Sequence, residues 1–118
     1  MKKDPLVYID DIRDSIEAIK RYTAGLTKED FFSSTEKQDA VYRRLEVIGE
    51  AANRLPGEIR KKYPSIPWHK IIGMRNMLIH EYDTIDLDRV WMTIQKDMPK
   101  LDKEIDTIIT SLSNSEPQ

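Results

Sequence analysis

The chain contains no cysteine, so disulfide frameworks, thiolate nucleophiles and thiolate metal sites are all excluded. Histidine is nearly as scarce: His69 and His80 are the only two. No His-x3-His or HExxH spacing exists, and Glu46 and Glu50 lack the Glu-x-x-His partner motif of carboxylate-bridged metal bundles. No metal or cofactor is therefore expected. The four glycines, Gly25, Gly49, Gly57 and Gly73, are isolated from one another, which removes a phosphate-cradling glycine loop. No apolar run approaches the roughly 18–20 residues of a membrane span. Lys2, Lys3 and Asp4 lead into no signal-like apolar stretch, so a cytoplasmic location without membrane partners is expected. Strand-like alternation, internal repeats and low-complexity segments are absent too.

What is present is a chain of 118 residues, 39% hydrophobic and 34% charged, the balance of one globular domain. Its net charge of −2 is unevenly spread. Residues 1–42 carry a net −2, residues 43–75 a net +5, and residues 76–118 a net −5. The basic middle segment either pairs with the acidic flanks inside a bundle or meets an anionic ligand.

The apolar residues follow helical periods. Asp4 and Pro5 mark a helix start, followed by Ile9, Ile12, Ile16 and Ile19 on one stripe, with Gly25 as a left-handed stop. Thr27 through Phe32 reads as a short helix with a capping box between Thr27 and Asp30. Thr35 and Gln38 repeat that pattern ahead of Val41, Leu45, Ile48, Ala52 and Leu55, and Pro56-Gly57 ends the run. Gly49, Ala51 and Ala52 leave room for a close neighbour. After the stiff Tyr63–Pro67 connection, Pro67 opens a third helix that should turn Trp68, Ile71, Ile72, Leu78 and Ile79 inward. Asp86 caps a last helix striped from Leu87 to Leu112, in which Pro99 should cause a bend rather than an end. The expected fold is all-α: an up-and-down four-helix bundle with short extra helices, spanning residues 1–112, with a frayed tail at 113–118. Stripes this continuous could also serve a helix-to-helix dimer.

Chemistry concentrates in Gly73-Met74-Arg75-Asn76-Met77-Leu78-Ile79-His80-Glu81-Tyr82. Arg75 and His80 are five residues apart, about 140° around an ideal helix, and do not converge on it. They could meet if the helix ended near His80, if Arg75 reached across, or if a second copy completed the site. A plain Arg75–Glu81 ion pair is the structural alternative.

Arg75-x4-His80-x-Tyr82 resembles the signature of the HEPN superfamily, specifically its HepT-like toxin branch. Ile48-Gly49-Glu50-Ala51, Pro67-Trp68, Gly73-Met74-Arg75-Asn76 and Val90-Trp91 extend the similarity across roughly residues 5 to 110. The resemblance implies a helical homodimer whose two motifs line one cleft. It implies a metal-independent endoribonuclease toxin of a type VII-like toxin–antitoxin pair, acting on RNA. It further implies a minimal nucleotidyltransferase antitoxin that transfers AMP from ATP to Tyr82.

In that frame His80 and Arg75 are the catalytic residues. A histidine suits acid–base work near neutrality, and a guanidinium binds phosphate oxygens in a fork. Asn76 would support them by orienting the phosphate or His80. The competing reading is a non-catalytic module that binds nucleotides or docks onto a nucleotidyltransferase; a purely structural dimer would leave the motif unexplained.

Overall fold

Four of the helices, those that begin after Asp4, Thr27, Ser34 and Asp86, are started by a short polar side chain, whereas proline precedes two others. The computed structural model describes residues 4–114 and holds seven α-helices. They are α1 (Pro5–Thr23), α2 (Lys28–Phe32), α3 (Thr35–Arg54), α4 (Gly57–Lys62), α5 (Trp68–His80), α6 (Leu87–Met92) and α7 (Met98–Asn114). Asp4 accepts a hydrogen bond from the Leu6 amide at 2.9 Å, with Pro5 as the first helical residue. Thr27 and Asp30 exchange two bonds of 3.1 Å, the reciprocal box that closes the start of α2. Between α1 and α2, Gly25 supplies a positive φ of 74°.

The start of α3 differs from its expected form. Ser34, not Thr35, is the N-cap, accepting from the Lys37 amide at 3.1 Å. Gln38 does not close a box; its side-chain amide donates to the carbonyls of Phe31 and Phe32 at the end of α2. At the tight α2–α3 corner the Phe31 carbonyl also accepts from the Ser34 amide, and Gln38 supplies the further donor that satisfies Phe32.

Ile9, Ile12, Ile16 and Ile19 of α1 are buried with Val41, Leu45, Ile48 and Ala52 of α3. These two helices pack together, α5 packs on α3, and α7 packs on α1. Phe31 plugs one end of this core against the Trp91 ring, 5.6 Å between centroids. Lys20 to Asp102 and Lys28 to Asp88 add ion pairs from α1 to α7 and from α2 to α6.

Three further details correct the expected pattern. Pro56-Gly57 ends α3 but also opens the short α4, which buries Ile59. In α5 the buried residues are Trp68, Ile71, Met74, Met77 and Leu78, whereas Ile79 is 40% exposed and Ile72 only half-buried. The methionines, flexible and readily fitted, occupy the inward positions that the isoleucines were expected to hold. Finally, the helical run from Leu87 continues through Pro99, which does not end it, but the change of register does not lie at the proline. The register change comes one turn earlier: Thr93–Asp97 is a π-helical turn between α6 and α7, with the Met98 amide bonded to the Thr93 carbonyl. α7 itself continues through Asn114; residues 115–118 of the expected tail lie outside the described residues. No described helix is long and apolar enough to cross a membrane.

Candidate active site

Close contact between α3 and α5 begins at Gly49. A Cβ there would overlap the Arg75 Cβ and stand 3.2 Å from the Ile71 carbonyl oxygen. The missing side chain lets the helices approach where Arg75 leaves α5. Its guanidinium then meets the carboxylate one residue after that glycine: Arg75 Nη2 lies 3.0 Å from Glu50 Oε2. Arg75 Nη1 donates to Asn76 Oδ1 at 3.0 Å, while its Nε is buried without a hydrogen-bond partner.

Glu50 does double duty. Its other oxygen, Oε1, accepts from Arg54 Nε at 2.7 Å. The Arg54 pKa is raised above its ordinary value, first by that hydrogen bond and then by one with Tyr8. One carboxylate thus sits between two guanidinium groups and fixes both. The expected alternative of an Arg75–Glu81 pair is not formed; Glu81 is the exposed C-cap of α5. In the sequence Glu50 stood out as a rejected metal ligand and as part of the Ile48–Ala51 segment of the resemblance, with no role assigned. Its real partner is 25 residues away, and adjacency to Gly49 was the available clue. Among the described residues, no group of three or more His, Asp or Glu could hold a metal ion.

Arg75 opens onto a groove of about 430 Å³ between α1, α3 and α5. Tyr8, Arg43, Glu46, Glu50, Arg54 and Ile79 share its lining. His80 and Tyr82 do not. His80 is the exposed last residue of α5, and Tyr82 follows it at 77% exposure. The Glu81 amide makes the final helical bond, to the Met77 carbonyl at 2.8 Å, and the chain then turns, with the Thr84 amide bonded to the Glu81 carbonyl at 2.9 Å. Ending at His80 therefore does not swing its side chain into the Arg75 groove. Within one chain the structure joins Arg75 to Asn76 and Glu50, and leaves His80 and Tyr82 on separate, solvent-facing ground.

A family profile described as "HepT-like: Ribonuclease HepT-like" matches residues 12–108, most of the chain. The chain belongs to the HepT-like ribonuclease family. A Thermococcus cleftensis protein named probable ribonuclease HepT is 39% identical over 101 residues, covering 86% of this chain and 92% of that protein. A Methanocaldococcus jannaschii protein, whose name joins gamma-glutamylcyclotransferase to a candidate RNase, is 46% identical over 115 residues. That match covers 98% of this chain but 52% of the relative, so the chain spans about half its length. A candidate RNase of Caldanaerobacter subterraneus subsp. tengcongensis is 38% identical over 107 residues, covering 91% of this chain and 96% of that protein. No solved structure matches the chain. The HepT-like match includes the whole stretch from Gly49 to Tyr82, and hence both the Glu50–Arg75 pair and the exposed His80.

Proposed function

We propose that this HepT-like chain is a metal-independent endoribonuclease in which Arg75 and His80 act across a cleft between two copies. The observation that carries the reading is the division of the motif. Arg75 is held toward α3 by Glu50, whereas His80 and Tyr82 stand exposed at the end of α5. A second copy would bring the missing half to each side, which is the simplest geometry that lets both residues reach one phosphodiester.

In the cleavage step the ribose 2′-oxygen attacks phosphorus and the bond from phosphorus to the 5′-oxygen breaks. The products are a 2′,3′-cyclic phosphate and a 5′-hydroxyl. His80 moves the proton at the reacting oxygens, work that a positioned side chain typically performs with a gain of about 10²–10⁴-fold. Arg75 stabilises the charge that grows on the non-bridging oxygens, and Asn76 holds the guanidinium at its Nη1 edge. Glu50 is the positioning residue that fixes the direction of Arg75 before substrate arrives.

Tyr82 supplies the control point. Its phenol oxygen attacks the α-phosphorus of ATP on a minimal nucleotidyltransferase partner, pyrophosphate leaves, and the phenol proton passes to solvent. The AMP left beside His80 adds bulk and negative charge that exclude RNA. A toxin and its antitoxin would be joined in this way.

The deciding experiment expresses the chain with and without a neighbouring nucleotidyltransferase. Growth arrest and RNA cleavage are expected from the chain alone, with a loss of about 100-fold or more in Arg75→Ala and His80→Ala. Neutralisation should add AMP to the parent but not to Tyr82→Phe. Harmless expression with undiminished binding to the nucleotidyltransferase would instead establish a docking module.

A further inference from the structure

The face of α5 turned away from Glu50 is cationic. Lys70, Gly73, Met77 and His80 recur at spacings of 3, 4 and 3, and so share one stripe. Arg89 of α6 lies over its middle. Its Nη2 is 3.5 Å from where a Gly73 Cβ would stand, and its Nη1 donates to Met77 Sδ at 3.6 Å. Lys70, Arg89 and Lys96 line a depression of about 310 Å³ in which Asp97 is the one carboxylate. A separate depression of about 400 Å³, lined by Arg60, Lys61 and His69 around Trp68, lies at the start of α5 on the side that Trp68 and Ile72 share with Arg75. The Trp68 indole donates to the carbonyls of Arg60 and Tyr63, both at 3.1 Å, and so locks the end of α4 there.

Lys70, Arg89 and Lys96 come from separate elements and meet in one depression that holds a single carboxylate. Arg13, Lys20, Lys28, Arg43, Arg54 and Arg75 all have carboxylate partners. Among the described residues, Lys70, Arg89 and Lys96 have none within 4.0 Å, and neither do Arg21, Lys37, Arg44, Arg60, Lys61, Lys62, Lys100 and Lys103, so convergence in one depression, not lack of pairing, sets the first three apart. Basic residues in the last turn of α4 suit its dipole, but that does not account for Lys70, Arg89 or Lys96 on other elements. Lys70 to His80 spans roughly 15 Å of helix. A row of unpaired cations of that length, ending on a histidine, matches a polyanion whose charges repeat along one direction.

We propose that this stripe is the path of the RNA sugar–phosphate backbone, from Lys70 and Lys96 past Arg89 to His80. It rests on the reading of the chain as an endoribonuclease and says how substrate reaches His80. The phosphates replace counterions along the stripe, and no base is read there, so affinity depends steeply on salt and little on sequence.

The test uses the full chain carrying His80→Ala, so that RNA is bound and not consumed, with a labelled single-stranded oligouridylate as probe. Adding Lys70→Gln and Lys96→Gln should weaken binding several-fold at low salt. The slope of log K against log salt should become shallower by about 1.4, two single-strand contacts' worth. Lys100→Gln with Lys103→Gln on α7 removes the same charge away from the stripe and should change neither. Equal behaviour of the two double variants, or weaker binding at an unchanged slope, overturns the path. Cleavage of the same RNA by the chain with His80 intact is measured alongside. Cleavage without a slope change refutes the path alone; a slope change without cleavage refutes the nuclease reading and leaves an RNA-binding stripe.

Discussion

The two faces of α5 are built on opposite principles. Toward α3, every charge is answered: Arg75 by Glu50, Glu50 by Arg54, and the crossing is sealed by a glycine with no room for a methyl group. Toward α6, Lys70 and Arg89 lack carboxylate partners within 4.0 Å, His80 is exposed, and Gly73 meets only the far end of Arg89. The first face is organised before any ligand arrives; the second leaves its charges available to one. A single helix can carry both because residues five apart diverge by about 140°. That separation also explains how a histidine and an arginine so close in sequence do not share a groove.

The glycines offer the largest test of this contrast. Gly49→Ala should lower stability by about 1–3 kcal/mol, because the new methyl group overlaps the Arg75 Cβ and the Ile71 carbonyl limits retreat. Gly73→Ala should instead raise stability by up to about 1 kcal/mol, since helix propensity improves and the nearest atom is a mobile guanidinium nitrogen. Urea unfolding of both variants checks the pair, and equal effects would erase the distinction between the faces.

Next in size is Glu50→Gln. The amide keeps the shape and one acceptor but removes the charge that holds Arg75 and Arg54. RNA cleavage should fall several-fold through kcat more than KM, while the unfolding free energy shifts by less than about 1 kcal/mol because the pair is a third exposed. A matching fall in Glu50→Gln and in Lys100→Gln on α7 would show that the effect is a general one and does not act through Arg75.

The smallest effect lies away from both faces and sets a baseline. The Lys20 ammonium is raised above its ordinary pKa, first by its hydrogen bond to Asp102. Burial raises the Tyr42 phenol, with Asp39 adding to it. For both groups the folded value exceeds the unfolded one, so the stabilisation is fully present below about pH 10 and is lost as pH rises through the folded values. A modest decline in urea midpoint between mildly and strongly alkaline buffer is expected, reduced in Lys20→Met. Lys20 is more than half exposed, so solvent screens most of this contribution.

Much of the molecule could be read in one dimension. Helix starts at Asp4, Thr27 and Asp86 depend on a side chain and an amide two or three residues on, which local chemistry specifies. The start of α3 was misplaced by one residue because Ser34 and Thr35 are equally able to cap, and the α2 corner decided between them. Met74 and Met77 displaced Ile72 and Ile79 from the interior because α5 is apolar on several sides, and periodicity alone does not choose among them. Short α4 depends on Trp68 reaching back to its carbonyls, a contact between separate elements.

By itself, the sequence determined the all-helical class, the stripes that pair α1 with α3, the family motif and the angular separation of Arg75 from His80. Each follows from helical period and side-chain type, quantities defined within a few residues. Only the tertiary structure decided that Arg75 is held by Glu50, that Gly49 is the reason they meet, and that Arg89 joins Lys70 beside the His80 stripe. Those facts depend on which faces of distant helices are pressed together, and that depends on the volume and packing of the whole core.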